Sequence, residues 1–134
     1  MPEMTRIRRG PLAVVEAGDP SAPTLVLLHG IGSSGDAFVD QVSALSDRWQ
    51  MLAPDAPGYG ESDEPAEAPG IDGFADAVAG LLDGAGIDRA VVLGVSWGGV
   101  IATRFALRHP DRLRALVLAD TSRGSGHSPE TAEM

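Results

Sequence analysis

Short apolar segments alternate along the chain with longer segments in which apolar residues recur every three or four positions. The short segments have the length and composition of strands. Because continuously apolar strands are typical of sheets covered on both faces, we expect them to form a parallel sheet. These predicted strands are Leu12 to Glu16, Thr24 to Leu28, Gln50 to Ala53, Ala90 to Leu93 and Leu113 to Leu118.

The longer segments predict amphipathic helices between the strands. One runs from about Asp36, a candidate N-cap, to Leu45. A second begins near Ile71 and ends around Gly84, and a third runs from about Val100 to Arg108. The alternation of strands and helices predicts an α/β fold.

Composition narrows the possible functions. A chain of 134 residues is long enough for one domain with a hydrophobic core, and 43% of its residues are hydrophobic. A net charge of -9 disfavours binding to nucleic acid. The absence of cysteine excludes disulfides and thiolate metal sites. No apolar run is long enough for a membrane span or a signal peptide, so a cytoplasmic location without membrane attachment is expected.

The segment Gly94-Val95-Ser96-Trp97-Gly98 fits the pattern G-x-S-x-G and lies between a predicted strand and a predicted helix. In that context the pattern predicts a sharp turn that presents the serine hydroxyl above the sheet. We therefore interpret Ser96 as a catalytic nucleophile. Such a serine needs a base, an acid that orients the base, and N–H donors for the oxyanion.

Two backbone amides are candidates for the oxyanion hole. One belongs to Trp97, which directly follows the proposed nucleophile. The other is expected in the glycine-rich loop after the strand at Thr24 to Leu28, where Ile31 stands between Gly30 and Gly32.

Four motifs, in this order and spacing, resemble the α/β-hydrolase superfamily, in particular the meta-cleavage-product hydrolases, enol-lactonases, esterases and proline iminopeptidase-like enzymes. The motifs are Leu27 to Gly32, Asp55 to Ser62, Gly94 to Gly99 and His109 to Leu113. The resemblance implies hydrolysis of an ester, lactone, amide or activated carbon-carbon bond in a small-molecule substrate, with no metal or organic cofactor. It disfavours the dehalogenase and epoxide hydrolase branches, which use a carboxylate in place of the serine.

The resemblance also implies that residues 1–134 form the N-terminal part of a single domain, truncated after about the sixth strand, because members of the family run to roughly 250 to 300 residues. The catalytic acid, the histidine and the lid are then expected in a missing C-terminal half. This chain would be a fragment, a naturally short protein, or one half of an enzyme completed by a second chain. Among the residues present, Asp120 is a disfavoured candidate for the acid and His127 for the base.

Two other functions fit parts of the sequence. Gly30, Gly32 and Gly35 fit the G-x-G-x-x-G pattern of dinucleotide-binding modules, and Asp55 follows at the distance of a ribose-binding acid. The strand predicted before this glycine pattern counts against that assignment. A non-catalytic binding protein with the α/β-hydrolase fold is the other alternative.

Overall fold

The computed structural model describes residues 4–120. It contains three α-helices, α1 (Val39–Leu45), α2 (Gly70–Ala85) and α3 (Trp97–Arg108). Short 3-10 turns lie at Gly35–Phe38 and Pro110–Arg112. The strands are β1 (Thr5–Arg9), β2 (Leu12–Ala17), β3 (Thr24–Leu28), β4 (Gln50–Pro54), β5 (Ala90–Val95) and β6 (Leu113–Ala119).

The six strands form one sheet in the order β1-β2-β4-β3-β5-β6. Strand β3 pairs in parallel with β4 and β5, and β5 pairs in parallel with β6. The expected parallel α/β sheet is therefore confirmed for these four strands. It is wrong at the other edge, where β1 and β2 pair antiparallel and β2 pairs antiparallel with β4. The connection between β1 and β2 through Gly10 is too short for a parallel crossover.

Strand β1 has no counterpart among the predicted strands. Its residues are mostly exposed, and charged side chains occupy most of its positions. A strand without a buried face lacks the apolar pattern from which strands are predicted. Arg6 and Arg8, two positions apart, project from the same face of β1.

Helices cover both faces of the sheet at its centre, whereas the edge strands β1 and β6 are mostly exposed. One core lies under α2 and α3 and includes Val26, Leu52 and Phe105, while the other lies under α1 and includes Leu27 and Met51. Neighbouring residues of one strand therefore enter different cores, which explains why the central strands β3 and β4 are apolar at nearly every position. Full burial of an aliphatic or aromatic side chain contributes about 1.5–3 kcal/mol, so these two cores dominate the stability of the fold.

Two predicted helix starts are wrong. Ser34, not Asp36, caps the first helical segment, since its hydroxyl accepts a hydrogen bond from the Asp36 amide (3.3 Å). The Asp36 carboxylate instead pairs with Arg6 on β1. Helix α3 starts at Trp97, three residues before the predicted start at Val100. The prediction was late because Gly98 and Gly99 are poor helix formers, although both are buried in the first turn of the helix.

Helix α2 contains two exposed glycines, Gly80 and Gly84, at which an added Cβ would meet nothing within 4 Å. Alanine at such a site reduces the conformational entropy of the unfolded chain without steric cost. We expect Gly80→Ala to raise the free energy of unfolding by about 0.5–1 kcal/mol, measured by urea denaturation. A lower urea midpoint in this variant would show that α2 is not the regular, exposed helix described here.

An ion-pair cluster joins α2 to the end of α3. The Asp76 carboxylate accepts hydrogen bonds from Arg108 (2.9 and 2.8 Å) and lies 2.8 Å from Nε2 of His109. The hydrogen bonds from Arg108, and then the one from His109, lower the pKa of Asp76 from 3.8 to about 2. Asp76 therefore favours the folded state only while it is ionised.

This pKa predicts a stability difference that depends on pH. Because the folded-state pKa lies below the unfolded value, the contribution is complete above about pH 4 and is lost as the pH falls toward about 2. At neutral pH we expect Asp76→Asn to lower the urea midpoint slightly, since the cluster is exposed. The difference from the unmodified protein should shrink between about pH 4 and about pH 2. Asp40→Asn, an exposed change on α1, serves as the control, and a gap constant across that range would contradict the assignment.

Candidate active site

Ser96 occupies a sharp turn between the end of β5 and the start of α3. Its backbone has φ 56° and ψ -118°, a conformation that costs a residue with a side chain about 1–3 kcal/mol. The side chain is exposed, and the amide donates a hydrogen bond to the carbonyl oxygen of Ala119 at the end of β6 (3.0 Å). The turn is thus held between two neighbouring strand ends, in the strand–turn–helix setting predicted from the sequence.

Close backbone contacts require the two glycines that flank this turn. A Cβ added at Gly94 would lie well under 3.0 Å from the carbonyl oxygen of Gly98. A Cβ added at Gly98 would lie equally close to the carbonyl oxygen of Leu28 and 2.7 Å from that of His29. Real Cβ atoms essentially never come so close to backbone atoms. Helix α3 therefore packs directly against the end of β3 beneath Ser96.

The loop after β3 lies beside Ser96. A Cβ added at Gly30 would be 3.7 Å from the Cβ of Ser96. The amide of Ser33 donates to the carbonyl oxygen of Gly30 (3.2 Å), and Gly32 has φ 76°, so residues 30–33 form a tight turn. Ile31 lies in this turn and is 70% exposed. The structure thus brings together the Ser96 turn, with Trp97 next in sequence, and the turn that contains Ile31.

Both ring nitrogens of His29 are bonded to backbone groups. Nε2 accepts a hydrogen bond from the amide of Ala56 (2.9 Å), so it carries no proton. Nδ1 therefore carries the proton and donates to the carbonyl oxygen of Gly30 (2.7 Å). This buried, neutral histidine connects the loop after β3 to the loop after β4.

Aromatic side chains surround one flank of the Ser96 turn. The ring centroid of Trp97 lies 5.3 Å from that of Tyr59 and 4.8 Å from that of Phe74. The Trp97 and Phe74 rings meet edge to face. Tyr59 in turn lies 5.4 Å from the ring of His29. Phe74 was not among the site residues predicted from the sequence, because its helical spacing identifies an apolar face of α2 without revealing what that face contacts.

Asp55, at the end of β4, is completely buried. Its carboxylate accepts hydrogen bonds from the amides of Gly35 (2.7 Å) and Glu61 (2.9 Å) and from the guanidinium of Arg6 (3.0 Å). Burial alone would raise the pKa of Asp55, but the bonds from Glu61, Gly35 and Arg6 outweigh it, and the pKa is lowered. A carboxylate engaged in this way is not available to ribose hydroxyls, which contradicts the ribose-binding assignment.

The remaining acid and base candidates are dispersed. Asp120 is exposed, directly follows Ala119 and has φ 50°. His109 pairs with Asp76 at the far end of α3, and His127 lies outside the described residues.

Within residues 4–120, no group of three histidine, aspartate or glutamate side chains is placed to hold a metal ion. None of the helices in that range combines the length and apolarity needed to cross a membrane.

Comparison with known proteins identifies a family and several relatives of this chain. Residues 23–134 match the family model for the alpha/beta hydrolase fold. Epoxide hydrolase A of Mycobacterium tuberculosis is 42% identical over 108 residues, which are 78% of this chain and 34% of that protein. The poly(3-hydroxyalkanoate) depolymerase of Ectopseudomonas oleovorans is 35% identical over 111 residues, 83% of this chain and 39% of that protein.

A solved structure shows the same fold over nearly the whole chain. The 2-hydroxy-6-oxo-6-phenylhexa-2,4-dienoate hydrolase of Rhodococcus sp. strain RHA1 superimposes with a TM-score of 0.83 at 27% identity, covering 99% of this chain and 52% of that one. The chain thus spans about half of that structure, and 34% and 39% of the two curated relatives. The four motifs, the mostly parallel sheet and the match over residues 23–134 show that this chain belongs to the α/β-hydrolase family.

Proposed function

We propose that the chain carries the nucleophile and the oxyanion hole of a serine hydrolase that cleaves an ester, lactone, amide or activated carbon-carbon bond in a small molecule. One observation supports this most strongly. Ser96 adopts a strained backbone conformation at the carboxyl end of β5, and the loop that contains Ile31 packs against it. Strain of this kind persists where surrounding contacts enforce it, and it is typical of catalytic turns.

The reaction proceeds by acyl transfer. Oγ of Ser96 attacks the substrate's acyl carbon while a base takes the hydroxyl proton. The amides of Ile31 and Trp97 donate hydrogen bonds to the oxyanion of the tetrahedral intermediate. The amide of Trp97 suits this role because it opens α3, where the first N–H groups of a helix have no partner within the helix. The leaving group then departs with a proton, and water hydrolyses the acyl-enzyme. This chemistry uses no metal or organic cofactor.

The base is expected to come from outside residues 4–120. Within this range, His29 uses both ring nitrogens on backbone groups and His109 is bonded to Asp76. The family relatives are two to three times longer than the matched region, so further polypeptide or a second chain would supply the histidine. Asp120 is a candidate acid inside the described residues, because it follows the strand next to the Ser96 turn.

The resemblance to an epoxide hydrolase does not imply that Ser96 opens epoxides. An attacking carboxylate forms an ester, whose carbonyl water can attack in the second step. A serine oxygen that opened an epoxide would form an ether, which has no carbonyl and would not be hydrolysed. Serine at this position therefore favours acyl substrates, even at 42% identity.

A substrate panel tests the proposal. We expect turnover of p-nitrophenyl esters or of simple lactones and none of styrene oxide, measured on the native protein together with any chain that co-purifies. Native mass spectrometry of the same sample would identify such a chain. Epoxide turnover would contradict the acyl-transfer chemistry, and binding of esters without turnover would favour a non-catalytic binding protein.

A further inference from the structure

The loop that contains Ile31 is fixed at both ends to two consecutive residues of another segment. At its beginning, His29 accepts a hydrogen bond from the amide of Ala56. At its end, the amide of Gly35 donates to Oδ1 of Asp55 (2.7 Å). The path of the loop, and with it the position of the Ile31 amide, is thus set by residues 55 and 56.

The Asp55 carboxylate has no freedom to shift within this arrangement. A Cβ added at Gly60 would lie well under 3.0 Å from Oδ2 of Asp55, and one added at Gly35 would lie 3.3 Å from Oδ1. Oδ2 also accepts the amide of Glu61. The carboxylate therefore lies between two glycine turns, each of which leaves room for no side chain of its own.

A single guanidinium from β1 neutralises this buried charge. Nη1 of Arg6 lies 3.0 Å from Oδ2 of Asp55, and Nε of Arg6 lies 3.2 Å from Oε1 of Glu61. Arg6 also pairs with Asp36, the residue after Gly35. Arg6 is half-buried whereas Asp55 is fully buried, so loss of Arg6 would leave a desolvated carboxylate without a counter-charge.

We propose that Arg6 and Asp55 are positioning residues for the oxyanion hole: Arg6 holds the Asp55 carboxylate, and the carboxylate holds the Gly35 end of the loop that presents the Ile31 amide. This inference rests on the proposed function. It assigns a role to β1, the strand with no buried face, since β1 supplies the counter-charge of a group beside the site.

Strand β1 also offers a matched control. Arg8 projects from the same face as Arg6, pairs with Asp63 and donates to the carbonyl oxygen of Glu61 (3.0 Å). It therefore fixes the same loop after β4, but its guanidinium bonds to Glu61, Pro11 and Asp63 instead of Asp55. Arg8→Gln removes the exposed ion pair between Arg8 and Asp63 and leaves the Arg6–Asp55 pair in place.

The first measurement is steady-state hydrolysis of an ester by the native protein. We expect Arg6→Gln to lower kcat about tenfold with KM unchanged, because a displaced oxyanion donor weakens only the transition state. Arg6→Lys, which restores the positive charge, should recover part of kcat. Arg8→Gln should change kcat by less than about twofold. Equal losses in the two glutamine variants, or a rise in KM alone, would overturn the proposal.

The second measurement is hydrogen exchange at the Gly35 amide, followed by NMR. We expect exchange to accelerate in Arg6→Gln and to stay unchanged in Arg8→Gln. Unchanged exchange in Arg6→Gln would overturn the proposal whatever the kinetics. If the unmodified protein hydrolyses no ester, the proposed function fails, while faster Gly35 exchange in Arg6→Gln alone would still support the link from Arg6 to the loop.

Discussion

Ser96→Ala is expected to abolish ester hydrolysis and leave the fold intact. Removal of the nucleophile of a serine triad lowers kcat by about 10⁶-fold in a well-studied protease, so no rate above background is expected here. The backbone strain at Ser96 is enforced by the bond to Ala119 and by the packing of Gly98 against Leu28, and none of these contacts uses the hydroxyl. The thermal midpoint should therefore change little.

Ser43→Ala provides the control for this substitution. Ser43 is exposed on α1, across the sheet from the core under α2 and α3, so its loss should leave hydrolysis unchanged. Retention of esterase activity in Ser96→Ala would contradict the assignment of the nucleophile. A large fall in the thermal midpoint would instead show that the hydroxyl supports the fold.

Gly98→Ala is expected to destabilise the protein strongly. The added Cβ would collide with the carbonyl oxygens of Leu28, the last residue of β3, and of His29, which follows it, and these backbone atoms cannot move as a flexible side chain would. Overpacking against rigid surroundings costs about 1–3 kcal/mol and sometimes more, and we expect about 3 kcal/mol here, measured by urea denaturation. Any folded fraction should hydrolyse esters poorly, because α3 would be displaced from beneath Ser96.

Gly80→Ala is the matched control, because it makes the same chemical change in a helix where the new methyl group meets open space. The two substitutions should change the urea midpoint in opposite directions. If Gly98→Ala were as stable as the unmodified protein, the close packing of α3 on β3 would be wrong.

The sequence predicted the part of the fold in which local pattern and tertiary burial agree. Strands β3 and β4 are largely apolar because helices cover both of their faces, and the pattern alone shows this. Strand β1 has no buried face and gave no such signal. The antiparallel pairing of β2 with β4 depends on contacts between distant segments, which periodicity does not record.

The candidate site could be derived from the sequence only where it depends on residues that are adjacent in sequence. Ser96 and Trp97 follow from a five-residue pattern, and the structure places the Ile31 loop against Ser96. A ribose-binding role for Asp55 was an alternative because the glycine spacing also fits a dinucleotide loop. Its partner Arg6 lies 49 residues away, so no local pattern could show that its carboxylate is engaged within the fold.

The central claim is that Ser96 is an activated nucleophile, and covalent trapping tests it most directly. The native protein is incubated with a fluorophosphonate and digested, and the adduct is located by peptide mass spectrometry. We predict a single adduct on Ser96 that does not form in protein unfolded before incubation. An adduct on another residue, or none on the folded protein with all its chains present, would contradict the claim.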